Sequence, residues 1–468
     1  MKIIAIIAAV ICILAMFKVK REIKVALLFL GCMVFTLVQI PVVPFHAANA
    51  LLPIAFLASE WKHLSKYFKE ARGNVVWKVA SLAVFMVMLV LINSPHLRDF
   101  DSIKGFVMGE LFFKYFAILY AFWACRDDIS LRPLLKFSMI GVIVLTFFGV
   151  LNLISHNAFF LQSVYQGVKE VGLRSGAEMG EMFTDSDRFR VQSMFYNPFD
   201  YGYICLLTLL LHVYALNKRI ENRYVFYTVL VCSVFGIVTC ACRTVFFCAI
   251  LSFGCYYLFA FKVGKIVRSI ILLSFLSILS YNAIPAVQDK VDNTLTMFDK
   301  HSDVEGSSLD MRYLQYAAVL YHIQDSPLLG KGYHYFYEDL GWKDGYEGLR
   351  DIRLMGLEGV FMSYILERGF IGLAIYLIIY ISLFMYCINI RKYDKQLSAL
   401  GISVLVSYVL FANMTGELLS VCPTLLCIGS VVKIAETKKF TPPYLIAWIE
   451  RIVNKFFPIN SCNTLKFA

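Results

Sequence analysis

Hydrophobic residues in this chain gather into long blocks separated by short polar stretches. The blocks lie near 3–17, 24–43, 48–59, 75–94, 106–124, 135–154, 199–216, 224–241, 244–261, 269–286, 359–389, 397–414 and 417–434. A helix of roughly 20 apolar residues covers about 30 Å of hydrocarbon, which is the length of most of these blocks. With no water to bond, the backbone inside a bilayer must pair with itself, and an unbroken apolar run does so as a helix. The pattern therefore predicts an all-α chain, a polytopic membrane helix bundle of about 12–13 spans. The block at 48–59 is short enough to be re-entrant. The block at 359–389 is too long for one crossing, so its first third is expected at the interface, with the crossing beginning near Gly369.

Composition agrees with the pattern. Of 468 residues, 59% are hydrophobic and 16% charged, against roughly 25% charged in a soluble domain. The net charge of +11 invites a nucleic-acid reading. The basic residues instead fall in short clusters between apolar blocks: 18–24, 62–72, 218–223, 262–268, 391–395 and 433–439. These clusters alternate along the blocks, which places them together on the cytoplasmic side, and no nucleic-acid partner is expected. The remaining loops then face outward, including the two largest, 155–198 and 287–357. The second holds seven basic and twelve acidic residues, which suits that side. The chain divides into N-terminal membrane helices (1–154), a first large outer loop (155–198), central helices (199–286), a second large outer loop (287–357), C-terminal helices (358–434) and a cytoplasmic tail (435–468). The first block, with no small-residue cleavage site after it and Lys18, Lys20 and Arg21 following, is expected to stay as an uncleaved span. Apolar and charged residues separate at helical spacing over 444–457, so that stretch is either an interfacial helix or a loose tail. The 13 cysteines lie mostly inside apolar blocks, where a thiol acts as a small hydrophobe; no disulfide or zinc site is expected.

An ionisable residue at the edge of a span is expensive and points to function. Four places qualify. Arg188 and Arg190 precede Asn197-Pro198, a turn and helix start; the arginines either grip an anion or touch lipid headgroups. Arg243 follows Cys240-Ala-Cys242 between two blocks with almost no loop, at the outer face, where the charge rule gives no reason for an arginine; it either binds phosphate or snorkels. Arg312 lies early in a segment that Ser307 and Ser308 can cap, and that ends at Pro327-Leu-Leu-Gly330-Lys-Gly332 and His334. Glu358 stands at the mouth of an apolar segment leading to Glu367, Arg368, Gly369 and Gly372. It is either a desolvated base, or a partner of Arg353 or a cap of the helix.

In this order and spacing, these elements resemble the O-antigen polymerase and ligase family over roughly 185–415. The resemblance rests on an arginine near an Asn-Pro helix start (Arg188 or Arg190 with Asn197), on Cys242-Arg243-Thr244, and on Arg312 with the Pro-Leu-Leu-Gly-x-Gly stretch. It implies a GT-C-like helix bundle with a large helical outer loop, in the inner membrane of a bacterium with its active site facing the periplasm. The family's ligases carry a His nine residues and a polar neighbour ahead of a Gly-x-x-Gly. Here the Gly-x-x-Gly is Gly369 to Gly372, and Glu358 stands at the His position. That departure favours a polymerase over a ligase.

The resemblance implies a metal-independent glycosyltransferase that needs no cofactor. A hydroxyl of one undecaprenyl-diphosphate-linked repeat unit attacks the anomeric carbon of a growing lipid-linked chain, and undecaprenyl diphosphate leaves. Arg243 and Arg312, helped by Arg188 or Arg190, are the expected diphosphate ligands. Glu358 is the expected base or acceptor-positioning group, with His334 and Asn197 as secondary candidates. The bilayer, a chain-length regulator and a flippase are the implied partners. Ligation to another acceptor and transport of lipid-linked sugar are the competing readings. Transport requires buried charge or broken helices near the midplane, for which Glu110 and Lys114 are the best candidates; they read first as a local i,i+4 pair.

Overall fold

The computed structural model describes residues 2–35, 51–156, 160, 189–261, 309–344, 348–355, 357, 359–416 and 419–438. Arg188, Glu358, Ser307, Ser308, the block at 269–286 and the tail stretch 444–457 lie outside them. The described residues are helical, with turns and no strand. Six helices are long and apolar enough to cross a membrane: Val75–Asn93, Asp128–Ser155, Pro198–Asn217, Arg243–Ala260, Val360–Ile390 and Lys395–Thr415. A seventh crossing is made if Phe100–Tyr115 and Ala117–Ala124, bent by 41°, act as one span. The expected dozen spans are therefore not all present as full-length helices among the described residues. Ile3–Met16 and Arg223–Thr239 are apolar but shorter.

In chain order we label α1 (Lys2–Met16), α2 (Arg21–Val34), α3 (Leu52–Ser59), α4 (Leu64–Ala71), α5 (Val75–Asn93), α6 (Phe100–Val107), α7 (Ala117–Ala124), α8 (Arg132–Ser155), α9 (Pro198–Asn217), α10 (Arg223–Thr239), α11 (Arg243–Ala260), α12 (Leu309–His322), α13 (Val360–Ile390), α14 (Lys395–Thr415) and α15 (Val421–Thr437). Helix α9 is buried on nearly every side, as a helix apolar all round must be at the centre of a bundle. It packs on α8, α10, α11 and α14. Helix α14 in turn packs on α11, α13 and α15, and α15 on α7.

Ion pairs fix which loops share an end of the bundle. Lys438 bonds both Asp128 (2.8 Å) and Asp394 (2.7 Å), and Lys218 also bonds Asp394 (2.6 Å). Glu60 takes Lys24 (2.6 Å), Arg21 (3.2 Å) and the Tyr67 hydroxyl (2.7 Å). Lys433 pairs with Glu70. A cavity of about 490 Å³ lined by Lys20, Arg21, Glu60 and Arg126 joins the two groups. The basic clusters at 18–24, 62–72, 218–223, 391–395 and 433–438 thus lie at one end, as their alternation along the chain predicts.

At the opposite end α13 is broken at Gly369 (φ 63°, ψ −169°), a conformation essentially closed to any side chain. The break falls where the overlong block was expected to begin its crossing. The stretch 370–390 alone is about 30 Å long at 1.5 Å per residue, enough to span the hydrocarbon.

Candidate functional site

A helix break exposes backbone groups that have no partner in the helix, and in an apolar setting each must find one. Here the segment 327–332 supplies them. Lys331 N–H donates to Leu366 O (2.8 Å) and Gly332 N–H to Glu367 O (2.9 Å), while Phe370 and Ile371 N–H donate to Pro327 O (3.0 Å) and Leu328 O (3.1 Å). The approach is close enough to require glycine on both sides. A Cβ on Gly369 would lie 2.3 Å from Leu328 O, and one on Gly330 (φ 72°) would lie 2.5 Å from Gly369 N. The Pro-Leu-Leu-Gly-x-Gly stretch is thus the turn that docks into the break. Asn93 and Ser94, at the end of α5, secure it further by donating to Leu329 O (3.0 Å) and Tyr333 O (3.1 Å).

Beside the break lies a buried charge cluster. Glu110 accepts from Lys114 at 2.5 Å and from Arg368 at 2.8 Å. Arg368 also stacks over the Tyr364 ring at 4.2 Å, and Tyr364 bonds the Tyr115 hydroxyl (2.7 Å). Glu110 and Lys114 sit in a π-helical stretch, Met108–Tyr115, that turns both toward α13. The local-pair reading of Glu110 and Lys114 is therefore incomplete: the carboxylate also joins two distant helices. A lone buried carboxylate is prohibitively costly, and a second cation relieves that cost.

The predicted site residues fall into two groups at this end. In the first, Asn197 caps α9, accepting from Asp200 N–H (2.8 Å) while its amide donates to the Asp200 carboxylate (3.1 Å). Pro198 occupies the first helical position, as the Asn-Pro pair predicts. Arg190 precedes Val191, whose N–H donates to Thr239 O (3.0 Å). Thr239 ends α10, and the tight turn through Ala241 (φ 50°) leads straight into Arg243. Arg190 and Arg243 thus flank one turn, and both are half-buried.

Arg312 reaches the same end through α14. Its guanidinium donates to Gln315 Oε1 (3.0 Å) and Met414 O (3.3 Å). Cys248 of α11 contacts Ser407 O of α14 at 3.5 Å. From that level Arg243 is about 8 Å up α11 and Met414, which Arg312 contacts, about 10 Å up α14, so both arginines lie toward the same end of the bundle. Gly359, the residue after Glu358, lies against Asn413 at the same turn; a Cβ there would sit 2.7 Å from Asn413 O.

His334 belongs to the second group. It takes a left-handed backbone (φ 66°), stacks on Tyr333 and donates its N–H to Glu367 (3.2 Å). It therefore sits at the break, a helical segment away from Gly359. Arg353 pairs with Asp351 through two bonds, 2.9 and 2.7 Å; Glu358, its other candidate partner, lies outside the described residues. Sequence reasoning did not assign Arg368. An arginine inside an apolar block, next to a glycine that breaks it, was the available signal. Comparison with known protein families finds no match, and no curated protein matches the chain.

Proposed function

We propose that this chain is a membrane glycosyltransferase that polymerises undecaprenyl-diphosphate-linked oligosaccharide repeat units into surface polysaccharide, at the outer face of a bacterial inner membrane. The observation that supports this reading is that Arg190, Arg243 and Arg312 all lie toward the bundle end opposite the basic loops. The positive-inside rule does not account for arginines there, whereas a pyrophosphate leaving group does. Guanidinium groups at fixed positions stabilise the charge that develops on the diphosphate as the glycosidic bond breaks. Asn197 contributes by fixing the start of α9. On the resemblance Glu358 is proposed to act at the acceptor, as base or as positioning group, its neighbour Gly359 lying by the turn that binds Arg312.

The test uses purified protein and a lipid-linked repeat unit. Arg243→Ala and Arg312→Ala are expected to slow elongation more than about 100-fold, the loss typical of removing one transition-state charge partner, at unchanged protein yield. Normal polymer from both variants ends the assignment.

A transporter is the second reading, favoured by the broken α13 and the buried charges around Glu110. Depth weighs against it. The 370–390 stretch already spans about 30 Å, so the break lies at the interface and not at the midplane. Lipid-linked intermediates in a deletion strain separate the readings. Loss of a polymerase leaves single repeat units on the outer leaflet, loss of a flippase leaves them on the inner leaflet, and loss of a ligase leaves long lipid-linked polymer.

A further inference from the structure

Helix α12 carries Arg312 near its start and His322 at its end, about 15 Å apart along the axis. His322 is the centre of a three-residue chain. Its Nε2 lies 3.0 Å from Asp351 Oδ2, and its Nδ1 lies 3.3 Å from the Tyr335 hydroxyl. Hydrogen bonds from Arg353 hold the Asp351 carboxyl well below its ordinary range, at about 2. An ionised carboxylate only accepts, so Nε2 donates to Asp351, and in the neutral ring Nδ1 presents its lone pair to the Tyr335 hydroxyl. A contact of 3.3 Å is long for a hydroxyl donor. A sugar hydroxyl can therefore take the place of Tyr335 at little cost.

We propose that His322, oriented by Asp351, is the general base that activates the incoming acceptor hydroxyl. This rests on the glycosyltransferase reading and adds to it a proton acceptor on the same helix as Arg312. The acceptor proton moves to Nδ1 of His322. The acceptor oxygen bonds the anomeric carbon, and the bond from that carbon to the diphosphate oxygen breaks. The electron pair leaves on undecaprenyl diphosphate, held by the arginines, and the imidazolium then returns its proton to water. In this arrangement Glu358 positions the acceptor and does not deprotonate it.

The decisive variant is His322→Gln. Glutamine can donate to Asp351 through its amide and accept from Tyr335 through its oxygen, so it keeps both bonds but takes no proton. Elongation of a lipid-linked repeat unit is measured per amount of purified protein. We expect His322→Gln to be about 100-fold to 10,000-fold slower, the range for loss of a general base, with wild-type thermal stability. Wild-type elongation by His322→Gln overturns the proposal and leaves a structural tie. Where His322→Gln cannot be purified, His322→Ala is assayed with and without added imidazole; recovery sustains the proposal, and no recovery overturns it. Failure of the wild-type protein itself to elongate refutes the glycosyltransferase reading instead.

Discussion

At the lysine-rich end of the bundle, short connections are tied by side-chain ion pairs, such as Lys218 and Lys438 on Asp394. At the opposite end, a connection of more than thirty residues between α12 and α13 is docked by four backbone hydrogen bonds into the broken α13, with side chains such as Asn93 and Ser94 securing it further. The two solutions serve different ends. Ion pairs whose lysines stay partly exposed, such as Lys218 and Lys438 on Asp394, contribute little each and tolerate shifts of an ångström. Backbone bonds into a break fix register as well as position, because each donor meets one acceptor. Register is what a reaction site needs, since small displacements of positioned groups are costly to rate. The docked end is also the end that carries Arg243, Arg312 and the His322 network.

If the docking controls that end, the largest effect should follow from Gly369→Val. The substitution places a branched side chain in a glycine-only region and drives its Cβ into Leu328 O. Backbone strain of about 1–3 kcal/mol and the loss of up to four bonds near 1 kcal/mol each combine to roughly 4 kcal/mol. Thermal unfolding of the purified protein should show a large drop, and proteolysis should open the chain at 327–332 first. An unchanged melting temperature would erase the contrast between the ends.

Arg368→Met should cost somewhat less, about 3 kcal/mol, the low end for breaking a buried pair, because Lys114 still bonds Glu110. Adding Glu110→Gln should recover at least half of that loss, since it removes the carboxylate left with one partner. A double-mutant cycle read by thermal unfolding measures the coupling. Additive losses would show that Arg368 acts by packing on Tyr364 and Met86 alone.

Local features of the fold were legible in the sequence. Apolar block lengths give the helices, Asn197-Pro198 gives the start of α9, and the excess length of 359–389 gives the break near Gly369. The span count was overestimated among the described residues because 15- and 17-residue helices such as α1 and α10 read as full apolar blocks. Partnerships between distant residues were not legible. Arg368 meets Glu110 across 258 positions, and His322 meets Asp351 across 29. Each is an ordinary charged residue in its own neighbourhood and becomes part of a site only when the helices pack. The glycines of 327–332 announce a turn, but nothing local says that the turn closes a gap in α13. Arg188 and Glu358, two of the predicted site residues, lie outside the described residues.

The smallest effect belongs to the other end. Lys438 is a third exposed and bridges Asp128 and Asp394. Lys438→Met should cost less than about 1 kcal/mol, and less still in high salt, because water and ions screen such a pair. Burial pushes the Asp394 carboxyl up, but hydrogen bonds from Lys218 and Lys438 outweigh it and hold the group below its ordinary value. The stability it lends is therefore complete above about pH 4, the ordinary range for a carboxyl, and is lost as pH falls through the lowered value. Lys438→Met should flatten that acid limb while leaving the melting temperature near neutrality almost unmoved. A loss as large as that of Gly369→Val would mean that the ion pairs, too, set register, and that the two ends are built on the same principle.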